Sequence, residues 1–155
     1  MRYFSVILLS LFWGFVHAGS ALPEFCQAIR IDDETALLKT SKTALFMIYN
    51  RTDNTLWLTH PVENPGASAG WTSELQPGHW SALNIGQDFT LNCVESSPGH
   101  EQQVSCKDAI RICRYKKVRF PKNNQGSYWA GENLPLKELL SHLAERGFVL
   151  PESQH

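Results

Sequence analysis

The residues of this sequence best equipped for chemistry are its four cysteines, six histidines and scattered carboxylates. Cys26, Cys93, Cys106 and Cys113 are separated by gaps of 66, 12 and 6 residues. No Cys-x2-Cys pair occurs, so neither a zinc knuckle nor a thioredoxin-type redox site is expected. An even cysteine count in an exported chain reads instead as two disulfides, for which three connectivities exist. Pro98-Gly99 lies near the midpoint of residues 93–106 and can fold Cys93 and Cys106 onto adjacent strands. The expected pairs are therefore Cys93–Cys106 and Cys26–Cys113. Each needs Cα atoms roughly 4.4 to 6.8 Å apart.

The other chemistry-bearing residues form no recognisable constellation. His60, His79 and His100 fall near expected strand or loop ends, and no helical or hairpin spacing gathers them around a metal. Glu63, Glu74, Glu95 and Glu101 are the raw material of a glycosidase pair, yet nothing in their spacing sets a carboxylate separation. There is no G-x-S-x-G, H-E-x-x-H, Walker A or dinucleotide-binding glycine pattern. No catalytic residue, metal or cofactor is assigned. The reading is non-enzymatic, with a small hydrolase as the remaining enzymatic alternative.

Two uneven features point to binding. Trp57, Trp71, Tyr128 and Trp129 are large aromatics of the type that serve either as sandwich core or as anchors for proteins and sugars. Between Ala109 and Gly131 stand six basic residues and no acidic one. Lys117 and Arg119 alternate there with Val118 and Phe120, as in a strand with one cationic and one apolar face. Such a strand is either a protected sheet edge or a contact for an anionic partner. The expected binding surface joins Lys117 and Arg119 to Tyr128 and Trp129, with Trp57 and Trp71 as further aromatic candidates. A net charge of −1 and a pI near 6.6 argue against nucleic acid as the partner.

The compartment follows from the first eighteen residues. Arg2 supplies a positive start, Val6 to Val16 is apolar apart from Ser10 and Gly14, and Val16-His17-Ala18 offers a cleavage site. This run is shorter than the roughly 18 to 20 apolar residues that span a bilayer. Residues 1–18 therefore read as a secretory signal, and the protein as exported, in the periplasm more than outside the cell.

The elements that must position these residues are mostly short strands. The 155-residue length fits one core, and ten Gly with eight Pro imply many turns. In residues 19–43, Asp32-Asp33-Glu34 before Thr35-Ala36-Leu37-Leu38 could open a short helix. ALFMIYN at 44–50 reads as a central strand buried on both faces, and TLWLTH at 55–60 as its antiparallel hairpin partner. Residues 61–70 form a loop by composition, and Pro77-Gly78 a type II turn. HWSALNI at 79–85, FTLNCV at 89–94 and QVSC at 103–106 follow as strands. AIRICRYKKVRF at 109–120 should break or bulge near Tyr115, where its alternation slips. The one clear helix, at about 135–146, carries Leu136, Leu139, Leu140 and Leu143 on one stripe; Asn133 or a neighbour caps it, Pro135 sits in its first turn, and Gly147 ends it. The fold class is mainly β: a small disulfide-stapled antiparallel β-sandwich or partly open barrel with one C-terminal helix. Residues 44–150 form its single β-rich domain and 151–155 a tail.

The stretch FMIYNRTDNTLWLTHPVENPGASAGWTSELQPGHWSALNI, followed by FTLNCVESSPGHEQQVSC, resembles the enhanced entry protein B (EnhB) family of Legionella and related bacteria. The likeness runs from Phe46 to Cys106 and continues more loosely through AIRICRY. It implies an exported factor linked to host-cell entry, accompanying a periplasmic protein of Sel1-type repeats, and it implies no catalytic residue. The expected function is that of an envelope or secreted interaction protein, with a protein partner in the envelope or on a host surface. A glycan- or lipid-binding sandwich is the alternative.

Overall fold

The computed structural model describes residues 21–60, 72–124 and 126–151. The expected signal segment, the 61–70 loop, Trp71 and the last four residues lie outside the described residues. Ten strands make two antiparallel sheets. The first, sheet A, holds β1 (Cys26–Ile29), β3 (Ala44–Asn50), β6 (Trp80–Ile85), β9 (Ile110–Tyr115) and β10 (Tyr128–Leu134) in the order β1-β9-β3-β6-β10. The second, sheet B, holds β2 (Ala36–Leu38), β4 (Thr55–Thr59), β5 (Thr72–Leu75) and β7 (Phe89–Ser97) in the order β2-β7-β4-β5, and β8 (His100–Val104) pairs with the far half of β7. A one-turn helix, α1 (Cys106–Ala109), precedes β9, and α2 (Leu136–Glu145) follows β10. The sheets stay separate, which makes a sandwich and not a closed barrel.

The apolar pattern explains the layering. Phe46 and Ile48 of β3, Leu56 and Leu58 of β4, Leu83 and Ile85 of β6 and Leu91 of β7 fill the space between the sheets. Leu45 and Met47 of β3, Trp80 and Ala82 of β6 and Cys113 of β9 point the other way, into a second layer closed by Leu139, Leu143 and Phe148. Sheet A is thus sandwiched twice, which is why β3 is an unbroken apolar run. Sheet B alternates, Leu56 and Leu58 buried and Thr55, Trp57 and Thr59 outward, as a half-solvated sheet requires.

Both disulfides form as expected. Cys26–Cys113 joins β1 to β9 with Cα atoms 5.4 Å apart, and Cys93–Cys106 ties β7 to α1 at 5.3 Å. Two turns also follow the sequence pattern. His79 N–H donates to Gln76 O across Pro77-Gly78, with Gly78 at φ +73°, and Gly99 takes φ +77° between β7 and β8. At the end of α2, Gly147 adopts φ +86°. Its N–H reaches Ala144 O and that of Phe148 reaches Leu143 O, a Schellman closure with Leu143 and Phe148 in the same apolar layer.

Four local expectations are corrected. Residues 44–50 and 55–59 do not pair as a hairpin, because β3 lies in sheet A and β4 in sheet B. The chain crosses between layers at the buried Asn50. Its Nδ2 donates to Asn54 O and Leu75 O, both at 2.8 Å, and its Oδ1 accepts from Thr52 N and Thr52 Oγ1. A buried amide satisfied on both ends holds this corner as a hairpin turn would not. Residues 32–38 do not start a helix. Ala36 and Leu38 are fully buried against Leu91 and Phe89 of β7, while Leu37 is 47% exposed, so pairing in sheet B overrides the helical signal. The basic stretch is not an edge strand. β9 ends at Tyr115, lies between β1 and β3, and residues 116–120 leave the sheet to cross the second layer. Finally, Asn133 does not cap α2. It has φ +50°, and its side chain faces Gln76 and His79, leaving Pro135 as the residue before the first turn.

Candidate functional site

The expected binding residues are spread over three separate regions. Lys117 and Arg119 are exposed on the segment after β9, while Val118 and Phe120 turn inward, so the alternation holds without a sheet. Arg119 is fixed by a two-way backbone bridge to Val149, at 3.0 and 2.9 Å. Tyr128, at the start of β10, belongs to the layer under α2. Its hydroxyl donates to Asn124 Oδ1 at 3.0 Å, and the Arg146 guanidinium lies 5.6 Å from its ring centroid. Trp129, its neighbour, points through the opposite face into the core between the sheets, where its Nε1 is buried without a hydrogen-bond partner. Adjacent strand residues face opposite ways, so Tyr128 and Trp129, each half-buried, cannot both join Lys117 and Arg119 in one patch.

Trp57 stands elsewhere. It occupies the middle of β4, half-buried on the outer face of sheet B, opposite Val94 of β7 and Glu74 of β5. Thr55 and Thr59 flank it along the strand, with Thr72, Asn92, Ser96, Glu101 and Gln103 at the other outward positions nearby. None of these outward residues of β4, β5, β7 and β8 is lysine or arginine. They present hydroxyls, amides and two carboxylates around the aromatic plane, with Val94 beside it and the exposed Leu37 of β2 opposite Thr90. Trp71 lies outside the described residues, so the face rests on Trp57.

Three of the titratable side chains of catalytic type are engaged structurally. His60 stacks on Phe89 with ring centroids 4.1 Å apart and its Nδ1 is 2.7 Å from Thr90 O. His79 meets Asn133, and Glu95 accepts from Asn54 Nδ2 at 2.7 Å. Among the described residues no three His, Cys, Asp or Glu side chains gather as a metal site would, and no helix is long and apolar enough to cross a membrane. Glu63 lies outside the described residues. Burial pushes the Tyr115 phenol up to about 12 and raises Glu132 above the usual carboxylate range, and both lie on sheet A.

Two concavities open on the sides of the sandwich. One, of about 420 Å3, is polar and includes Thr52, Glu95, Ser105 and Asp108. The other, of about 320 Å3, lies where β1 ends while β9 continues, and its lining combines isoleucines with Arg51, Lys107 and Arg111. The sequence reading missed this cleft. One signal for it exists: Ala-Ile-Arg-Ile occurs at 28–31 and again at 109–112, and the two copies meet with Ile29 opposite Ile112. No family model, curated protein or solved structure matches the chain.

Proposed function

We propose that this protein is an exported, non-enzymatic interaction protein of the bacterial envelope, binding its partner through the outer face of sheet B with Trp57 as anchor. The observation that carries the reading is the asymmetry between the sheets: the outer face of sheet A is covered by α2 and its flanking segments, whereas Trp57 lies half-open on the outer face of sheet B among mostly polar neighbours. A central aromatic within a polar rim is the anatomy of a protein interface hot spot. The apolar start of the chain and the two disulfides support export to an oxidising compartment, and the periplasm is the proposed site. The resemblance to the enhanced entry protein B family supports a role connected with host-cell entry and, as partner, a periplasmic protein of Sel1-type repeats or a host-surface protein.

The test is capture of such a partner by the mature protein and two variants. Trp57→Ala should lose capture while keeping its unfolding free energy in urea within about 1 kcal/mol of wild type, and Lys117→Glu with Arg119→Glu should capture normally. Undiminished capture by Trp57→Ala refutes the assignment. A second reading, a neutral glycan on the same face, is favoured by the hydroxyls and amides of Thr55, Thr59, Asn92 and Gln103 around the indole. Direct binding of uncharged oligosaccharides, lost in Trp57→Ala, would select it.

A further inference from the structure

The cleft at the end of β1 is a separate site from the Trp57 face. Its apolar lining comes from the half-buried Ile29 and Ile31 and the buried Ile110, and Arg51, Lys107 and Arg111 bring positive charge to it. The rest of the described lining is apolar too, so among the described residues the cleft has no carboxylate and no neutral hydrogen-bonding side chain. That composition is unlike a sugar or nucleotide site, which needs amides and hydroxyls to orient its ligand. It complements a molecule with an apolar body and a single anionic end.

The backbone that carries Arg51 and Lys107 is held by covalent and hydrogen-bond restraints. Lys107 follows Cys106, whose sulfur is bonded to Cys93 and whose N–H donates to Glu34 O at 2.8 Å. The N–H of Arg51 donates to Ala109 O at 2.9 Å, which ties the chain after β3 to the end of α1. Both charges are thus carried on backbone that is already ordered, which lowers the entropy lost when an anion binds. The volume of about 320 Å3 is at the small end of ligand pockets, room for one chain and not for a folded partner or a two-chain lipid.

We infer that this cleft binds a single-chain anionic amphiphile, a medium-chain fatty acid, with the alkyl chain along Ile29, Ile31 and Ile110 and the carboxylate at Arg51 and Lys107. The test uses the mature, disulfide-bonded protein with decanoate and 1-decanol below their aggregation concentrations, followed by calorimetry and amide chemical shifts. Decanoate should bind and shift the amides of Ile29, Lys107 and Ile110, and 1-decanol should bind at least about tenfold more weakly, the loss of one charge-assisted contact. Arg51→Ala with Lys107→Ala, both exposed side chains, should reduce decanoate affinity by about tenfold or more with an unchanged circular dichroism spectrum. Equal binding of decanol, unchanged affinity in the double variant, or shifts confined to other residues would overturn the inference. So would binding to phosphatidylglycerol vesicles without binding to decanoate, which would make these cations a membrane-surface contact.

Discussion

Sheet A and sheet B have similar strand numbers and opposite surroundings. Sheet A is covered on both faces, by sheet B on one side and by α2, Phe120 and Phe148 on the other. Sheet B is covered on one. The difference shows in composition: β3 is apolar at nearly every position, while β4 alternates leucine with threonine and tryptophan. The side chains of β3 and β6 therefore answer mainly to packing, and substitutions there should register as lost stability. The outward residues of sheet B are free of that demand, and substitutions there should register as lost binding.

The largest contrast is between the two disulfides. Cys26–Cys113 staples β1 onto sheet A across 87 residues, and Cys93–Cys106 closes only 13. In the chain-entropy model, removing the first as Cys26→Ser with Cys113→Ser costs about 4.5 kcal/mol, and removing the second about 3 kcal/mol. Urea midpoints of the two double variants measure the order. A reversed order would mean that β1 contributes little to sheet A once its tether is gone.

Next come the outer faces themselves. Leu139 of α2 is fully buried against sheet A, so Leu139→Ala should cost about 2 to 5 kcal/mol. Leu140, on the same stripe, is only partly buried and should cost less. Gly131 sharpens the point from the strand side. A Cβ there would lie 2.3 Å from Leu139 Cδ1, so Gly131→Ala should destabilise by about 1 to 3 kcal/mol through overpacking. A neutral Gly131→Ala in thermal unfolding would show that α2 can shift away from β10.

Tyr115 tests sheet A through pH. Burial raises its phenol from 10.0 to about 12, so above pH 10 the unfolded chain ionises this group while the folded protein keeps it neutral. The unfolded state then binds fewer protons, and stability falls as pH rises, by about 2 kcal/mol at pH 12. Comparing wild type with Tyr115→Phe in urea between pH 9 and 12 should isolate this slope, which the variant lacks. The smallest effect on stability belongs to Trp57→Ala on the open face of sheet B, about 1 kcal/mol or less. A loss as large as that of Leu139→Ala would show that Trp57 is a packing residue and remove the contrast between the sheets.

Much of this architecture was legible in the residues because its causes are local or covalent. The apolar run at 44–50, the Pro-Gly turns, the Cys93–Cys106 pairing across one of them, the break at Tyr115 and the leucine stripe closed by Gly147 each depend on a few neighbouring side chains. The candidate site was far less legible. Lys117, Arg119, Tyr128 and Trp129 are close in sequence, but strand geometry turns Tyr128 and Trp129 to opposite faces, with the half-buried Trp129 packed against the core between the sheets. Arg51 and Lys107 are 56 positions apart and meet only because Arg51 N–H is bonded to the end of α1.

By itself, then, the sequence determined the strand-rich class, the existence of the sandwich core, the closing helix and the two bridges, because hydrophobic period, turn residues and cysteine placement act over short stretches or through a covalent bond. Only the tertiary structure decided which sheet each strand joined. Residues 44–50 and 55–59 look like a hairpin in isolation, and the buried amide of Asn50, satisfied by Asn54, Leu75 and Thr52, sends them to different layers. That single crossover leaves Trp57 on an open face while β3 is enclosed. No local pattern encodes it, because one of the groups that satisfy Asn50 lies 25 residues away.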